Sequence, residues 1–226
     1  MPMDVTQWLD PLSALLVLGG TLAAALLRCG WRDAREAARA ALQLAQRPFA
    51  SDHVRAELGA QIQDICENGL VRAHPHHFGD GEFDAVADAL IRRRSLTALH
   101  EEHDKHRARR LARAETAIAV LGQAAELAPV LGLAGTLLSL GGLSAAVAAN
   151  GDAAGAIGTA VTTTLYGLVV ANFLFAPLAA AIARRSRQEE QARQELLDWL
   201  EEAVRGALHA APPATPVSDV AQSRAA

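Results

Sequence analysis

Hydroxyl-bearing and small side chains recur at helical spacing in the last apolar block of this chain. Thr159, Thr163, Gly167 and Ala171 are four residues apart, which places them on one face of a helix, and Thr162 to Thr164 form an unbroken run of threonines. The preceding apolar block carries Gly132, Gly135, Thr136 and Ser139. Two chemistries fit this pattern. Small residues let helices approach closely where the surrounding solvent is lipid. Hydroxyls can offer oxygen to a passing ion, or hydrogen-bond a neighbouring carboxylate in either protonation state. Packing accounts well for Gly132, Gly135, Gly167 and Ala171. It accounts less well for consecutive threonines, so Thr136, Thr159, Thr163 and Thr164 are the candidates for an ion path.

Other reactive residue types are sparse. Glu126 is the one ionisable residue inside the apolar blocks, and intramembrane carboxylates are functional candidates. It lies near one end of its block, where water or headgroups can solvate it. Histidines cluster at His74, His76 and His77, and again at His100, His103 and His106. The first group flanks a proline, and the second drifts around a helix, so solvated histidines are expected rather than a metal site. No nucleophile elbow, phosphate-binding loop or paired-carboxylate arrangement is present, which argues against an enzyme and against a bound cofactor.

The elements that must position these residues follow from the distribution of charge. The 226 residues are 51% hydrophobic but 4% aromatic, and the apolar ones gather in three blocks. These run Pro11 to Leu27, Ala117 to Ala149 and Ala153 to Ala183. A helix crosses the ~30 Å hydrocarbon core with about 20 apolar residues. The later blocks exceed that. The first is short, but Trp8 and Trp31 flank it 23 positions apart, as interfacial anchors would. All 21 Lys and Arg residues fall between Arg28 and Arg113 or between Arg184 and Arg224. By the positive-inside rule those stretches are cytoplasmic. Arg28, Arg32 and Arg35 follow the first block as a stop-transfer pattern, so it is read as retained rather than cleaved.

The expected fold is therefore an all-α membrane protein with three transmembrane helices and a helical cytoplasmic domain between the first and second. Residues 1–10 form an exoplasmic N-terminus, 11–28 the first span and 29–116 the cytoplasmic domain. Residues 117–149 hold the second span with its cytoplasmic extension, 150–156 an exoplasmic loop and 157–183 the third span. A cytoplasmic amphipathic helix covers 184–210, and 211–226, rich in Ala, Pro and Ser, is expected to be a disordered tail. The protein is placed in a membrane, with its C-terminus cytoplasmic.

Within the cytoplasmic domain, Arg32 to Gln46 and Ser51 to Asn68 read as helices, and Ala73 to Gly81 as a turn. Asp84 to Ala114, lacking Gly and Pro, reads as one long helix leading into the second span. Its mixed charges give either a solvated face or a partner surface. They nearly balance, which excludes a nucleic-acid patch. Leu196, Leu200 and Val204, with Trp199 and Ala203 beside them, form an apolar stripe. It is expected to pack on this domain or on a neighbouring copy. Cys29 and Cys66 fall in the cytoplasmic stretch, so no disulfide is expected.

Three segments taken together resemble a known family. APVLGLAGTLLSLGGL, Ala128 to Leu143, resembles the AP-x-x-G-x-x-GT signature of the MotA/TolQ/ExbB proton-channel family. AVTTTLYGLVVANFLFAPLA, Ala160 to Ala179, resembles that family's last span in its MotA form, and DPLSALLVLGGTLAAALL, Asp10 to Leu27, resembles the second span of MotA. MotA has four spans, whereas three is the count of TolQ and ExbB. ExbB-type members carry a glutamate where this chain has Thr159. The sequence is thus MotA-like and the expected topology TolQ-like.

The resemblance implies a homo-oligomer, expected to be a pentamer, around the single spans of a MotB/TolR/ExbD-like partner bearing an intramembrane aspartate. The transported ion would be H+, with Na+ as the alternative, and ion flow would turn the ring relative to the partner. Thr136, Thr163 and Thr164 would face the path, while Pro129 and Pro177 would kink their spans. A TolQ/ExbB-type transducer of envelope processes and a non-conducting membrane scaffold are the alternative roles.

Overall fold

The computed structural model describes residues 11–46, 49, 51–68, 79–93, 95–143 and 153–210. Trp8, the His74, His76 and His77 group, most of the expected exoplasmic loop and the 211–226 tail lie outside these residues. The described chain is helical throughout. Helix α1 covers Pro11–Cys29, α2 Trp31–Gln43, α3 Ser51–Asn68, α4 Gly81–Arg93, α5 Leu96–Gly141 and α6 Ala153–Val169. A π-helical turn, Val170–Phe175, joins α6 to α7, Ala176–Ala210.

Local chemistry accounts for most of these boundaries. Pro11 opens α1, where its fixed φ and missing donor cost nothing. Gly30, at φ 87°, separates α1 from α2 in a conformation that side-chain-bearing residues rarely adopt. Asp80 caps α4, its Oδ1 accepting from the Glu82 and Phe83 N–H groups at 3.0 and 3.3 Å. α3 has the expected bounds. The expected single helix over Asp84 to Ala114 is instead two, with α4 ending at Arg93 and α5 starting at Leu96. The Ser95 carbonyl accepts from the Ala98 and Leu99 N–H groups, so the new helix starts there without a Gly or Pro. The interruption lets Phe83, Val86, Ala87 and Leu90 of α4 share one core with Leu99 of α5.

The chain divides into two compact units. The first comprises Met1–Pro48 and Ala108–Gln188, the second Phe49–Arg107 and Glu189–Ala226. Residues 29–46, expected from the sequence to belong to the cytoplasmic domain, cluster with the apolar helices. Helices α5 and α7 contribute to both units.

In the second unit the core is Val54, Leu58, Phe83, Val86, Ala87, Leu90, Leu99, Leu196, Leu197, Leu200 and Val204. The Leu196/Leu200/Val204 stripe thus packs on α3, α4 and the start of α5. One guanidinium lies within this apolar setting. Arg193 is 6% exposed and donates to both Asp80 carboxylate oxygens at 3.2 and 2.8 Å. Glu82 and Glu189 stand 3.2 and 3.0 Å from it, and its Cζ is 4.2 Å from the Phe49 ring centroid. Burial pushes the Asp80 carboxyl up, but the Arg193 hydrogen bonds and charge, with the two capping N–H groups, hold it below its ordinary range.

His103 is also buried, 3.7 Å from Glu82, because its side of α5 faces this core. The expectation that this histidine is solvated is therefore corrected. His100 bonds the Leu96 carbonyl and pairs with Glu201 at 3.2 Å, and His106 lies 3.6 Å from Glu102. Among the described residues no group of three or more His, Cys, Asp or Glu side chains converges as a metal site. Among the mixed charges of α4 and α5, Arg92 pairs with Asp88, Arg93 with Glu101 and Arg107 with Glu190, all within the unit.

The first unit is built differently. Its core is Ala25, Ala37, Ala117, Val120, Leu121, Ala124, Ala128, Ala171, Phe175 and Ile182, mostly alanine. Its larger apolar side chains point outward, including Leu15, Leu137, Leu138, Val161 and Phe173. In water that would be an inverted arrangement; in lipid it is the ordinary one. Two helical stretches, one within α5 and one beginning at Ala153, are long and apolar enough to cross a membrane. The apolar part of α1, Ser13–Cys29, is shorter.

Candidate functional site

Helices α5 and α6 meet through glycine. A Cβ added at Gly132 would lie 3.0 Å from the Thr163 carbonyl oxygen and 3.2 Å from Gly167 Cα. One at Gly167 would lie 2.6 Å from the Ala128 carbonyl oxygen and 3.2 Å from Pro129 Cα. These obstacles are backbone, which cannot rotate aside. One at Gly135 would collide with the Thr163 side chain. Gly132, Gly135 and Gly167 therefore act as contact positions between helices. Ala171 is buried in the same unit's core.

This closeness brings hydroxyls together. Thr136 Oγ1 of α5 lies 3.1 Å from the Gly132 carbonyl in its own helix and 3.0 Å from the Ala160 carbonyl of α6. It also hydrogen-bonds Thr164 Oγ1, which is 3.4 Å from the same Ala160 carbonyl. A hydroxyl has one proton and two accepting lone pairs, so this pair can exchange donor and acceptor roles without moving a heavy atom. Thr163 points elsewhere. It is 2% exposed, donates to the Thr159 carbonyl at 2.7 Å, and lies 3.1 Å from the Ser13 hydroxyl of α1.

The four candidate hydroxyls thus fall into separate places. Thr136 and Thr164 form a half-buried interhelical pair. Thr163 joins Ser13 in a buried contact to α1. Thr159 turns back on its own helix, donating to the Gly155 carbonyl at 3.1 Å. Ser13 was not singled out from sequence. Its signal is that Ser13 and Thr21 are the hydroxyls of the otherwise apolar α1, and both are buried.

The other singled-out residues frame this site. Glu126 is exposed on α5. Gln123, three positions earlier on the same helix, accepts from Cys29 Sγ at 3.2 Å. α5 runs unbroken through Pro129, which stands against Gly167. At Pro177 the chain is arranged differently from a simple kink: the π turn Val170–Phe175 ends just before it, with the Ala176 N–H reaching back five residues to the Ala171 carbonyl. Wider winding there relieves the crowding that a proline ring imposes on the preceding turn. Arg185, also missed from sequence, donates to the Gln43, Leu44 and Gln46 carbonyls at 2.8, 3.1 and 3.1 Å, closing the C-terminal end of α2.

The model of the MotA/TolQ/ExbB proton channel family matches residues 62–195. Motility protein A of Treponema pallidum (strain Nichols) is 26% identical over 141 residues, which are 62% of this chain and 49% of the relative. The chain thus spans about half the length of the curated relative it matches. Among solved structures, the flagellar MotAB stator complex of Bacillus subtilis aligns over 90% of this chain and 82% of its own, with TM-score 0.74 and 17% identity. MotAB of C. jejuni aligns over 93% and 84%, with the same score and identity. At that identity the likeness is one of fold.

Proposed function

The chain belongs to the MotA/TolQ/ExbB proton channel family, and on that premise we propose that it is a MotA-like subunit of an ion-driven stator complex in the bacterial inner membrane. α1, the apolar part of α5, and α6 with the start of α7 are its three spans. The Arg-bearing stretches are cytoplasmic and the N-terminus is outside. Copies of the chain surround a single-span MotB-like partner whose intramembrane aspartate carries the ion, taken as H+. A ring of five follows the family resemblance.

The observation that carries this reading is the Thr136–Thr164 pair at the contact of the two membrane-length helices. Thr136 can donate its proton to the Thr164 oxygen while Thr164 turns its own toward a partner carboxylate. When that carboxyl is protonated, the same Thr164 oxygen accepts. α6 carries no charge, so the chain supplies polarity for a cycling carboxylate without supplying the carboxylate. Thr164→Val, assayed for ion flux in vesicles with the partner co-expressed, tests this; normal conduction would remove Thr164 from the path.

A TolQ/ExbB-type energy transducer is the second reading, because the family model that matches this chain spans that branch as well. Thr159 in place of the glutamate weighs against it. Scoring a deletion strain for swimming and for envelope integrity separates the two.

A further inference from the structure

Helix α2 has two unlike faces. Ala37 is buried, and Ala40 and Leu44 pack against the alanine-rich core of the first unit. On the opposite side, helical geometry at 100° per residue gathers Trp31, Arg35, Ala38 and Leu42 within roughly 60° of arc, with Arg39 and Arg32 next along one flank. Trp31 is 71% exposed and Leu42 70%. The acids of this helix, Asp33 and Glu36, fall outside that arc, and Glu36 reaches Arg39 at 2.6 Å.

This face is held in a fixed orientation. Gly30 breaks the chain from α1 at one end, and Arg185 holds the terminal carbonyls at the other. It is also continuous with the outer surface of α1, whose last turn exposes Leu27 at 87% and carries Arg28. An indole and a leucine beside three guanidinium groups fit a surface that is apolar below and anionic above. Indole rings favour the boundary between headgroups and acyl chains, and guanidinium matches phosphate oxygens in a two-pronged geometry.

We propose that the outward face of α2, formed by Trp31, Arg32, Arg35, Arg39 and Leu42, seats on anionic phospholipid headgroups of the cytoplasmic leaflet. Trp31 and Leu42 enter the acyl boundary, and the arginines bind phosphates. The proposal rests on the reading of α1 as a span whose Arg28 end is cytoplasmic.

The test uses the full chain in lipid nanodiscs, either phosphatidylcholine alone or with phosphatidylglycerol. Trp8→Phe with Trp199→Phe leaves Trp31 as the sole indole of the three. Lipids brominated near the top of the acyl chain should quench it. Native mass spectrometry should show phosphatidylglycerol retained in preference to phosphatidylcholine. The triple variant Arg32→Gln/Arg35→Gln/Arg39→Gln should lower that preference at least about fivefold, which is what even one arginine contributes at an anionic surface. Leu137→Trp, with Trp31→Phe added, reports on the α5 span through deep-brominated lipid. If Leu137→Trp is quenched while Trp31 is not, the seat is overturned and the membrane reading stands. If neither is quenched, the membrane reading falls and takes the seat with it. If Trp31 is quenched but the triple variant keeps its preference for phosphatidylglycerol, the headgroup recognition is overturned.

Discussion

Thr136 of α5 and Thr164 of α6 share one acceptor, the Ala160 carbonyl, at 3.0 and 3.4 Å, and hydrogen-bond each other across the helix contact. The α6 residue's hydroxyl therefore has a partner able to donate or accept a hydrogen bond as the cycle demands.

Thr164→Val keeps the shape and removes the hydroxyl. A lost hydrogen bond to a charged group costs about 1.5–3 kcal/mol, so ion flux should fall at least about tenfold with the assembly intact. Thr164→Ser should keep much of the flux. Loss of assembly in both variants would make the residue a packing element.

Gly167→Ala should weaken the fold by about 1–3 kcal/mol, the usual range for overpacking, because its Cβ meets the Ala128 carbonyl at 2.6 Å. Gly158→Ala, on the same helix but with nothing within 4 Å, should be tolerated. Thermal melting of the two variants in detergent checks the contrast.

Arg193→Met should destabilise the second unit by about 3–5 kcal/mol, since it strands Asp80, Glu82 and Glu189 around an apolar side chain. Urea unfolding followed by the emission of Trp199, with the other tryptophans replaced by Phe, measures it. An unchanged midpoint would make the buried pairing energetically idle.

The same cluster sets an acid limit. Asp80 titrates lower in the folded chain than its ordinary 3.8. A depressed carboxyl contributes stability that is fully present above its unfolded pKa and lost as pH falls through the folded one. The unfolding midpoint should therefore decline as pH drops below about 4, and Asp80→Asn should flatten this decline while lowering stability at neutral pH.

Cys66 of α3 should resist a membrane-impermeant thiol reagent applied to intact spheroplasts, and react once the membrane is permeabilised. Rapid labelling from outside would reverse the proposed topology. Cys29, half-buried and bonded to Gln123, is the less informative thiol.

Much of the helical content and the glycine contacts were legible because they follow from period and size. Thr163, Gly167 and Ala171 share a face whether or not the partner helix is known, and Leu196, Leu200 and Val204 needed only somewhere apolar to go. The break at Arg93 was not legible, since no residue there forbids helix; only the gain from packing α4 beside Leu99 selects it. The π turn before Pro177 was hidden for a similar reason: a proline announces disturbance without saying how the preceding turn absorbs it. His103 and Arg193 look like ordinary surface residues in sequence. Their burial depends on carboxylates contributed from α4 and its cap, over a hundred positions away in the case of Arg193 and Asp80. The division of labour among the hydroxyls also depended on the fold, because Ser13 meets Thr163 across 150 positions.

The alanine core of the first unit implies an asymmetry in how this chain can change over evolutionary time. Where leucines and a phenylalanine fill the interior, as in the second unit, substitutions that conserve volume have many solutions, and neighbouring positions can compensate one another. Where alanine and glycine set the distance between backbones, there is almost no smaller residue to trade for and no room for a larger one. Drift in the second unit can proceed through paired replacements, whereas the helix contacts of the first are confined to a very short alphabet. Sequence divergence should therefore accumulate on the lipid-facing side chains and in the leucine-rich core, leaving the small-residue seams as the slowest-changing record of common descent.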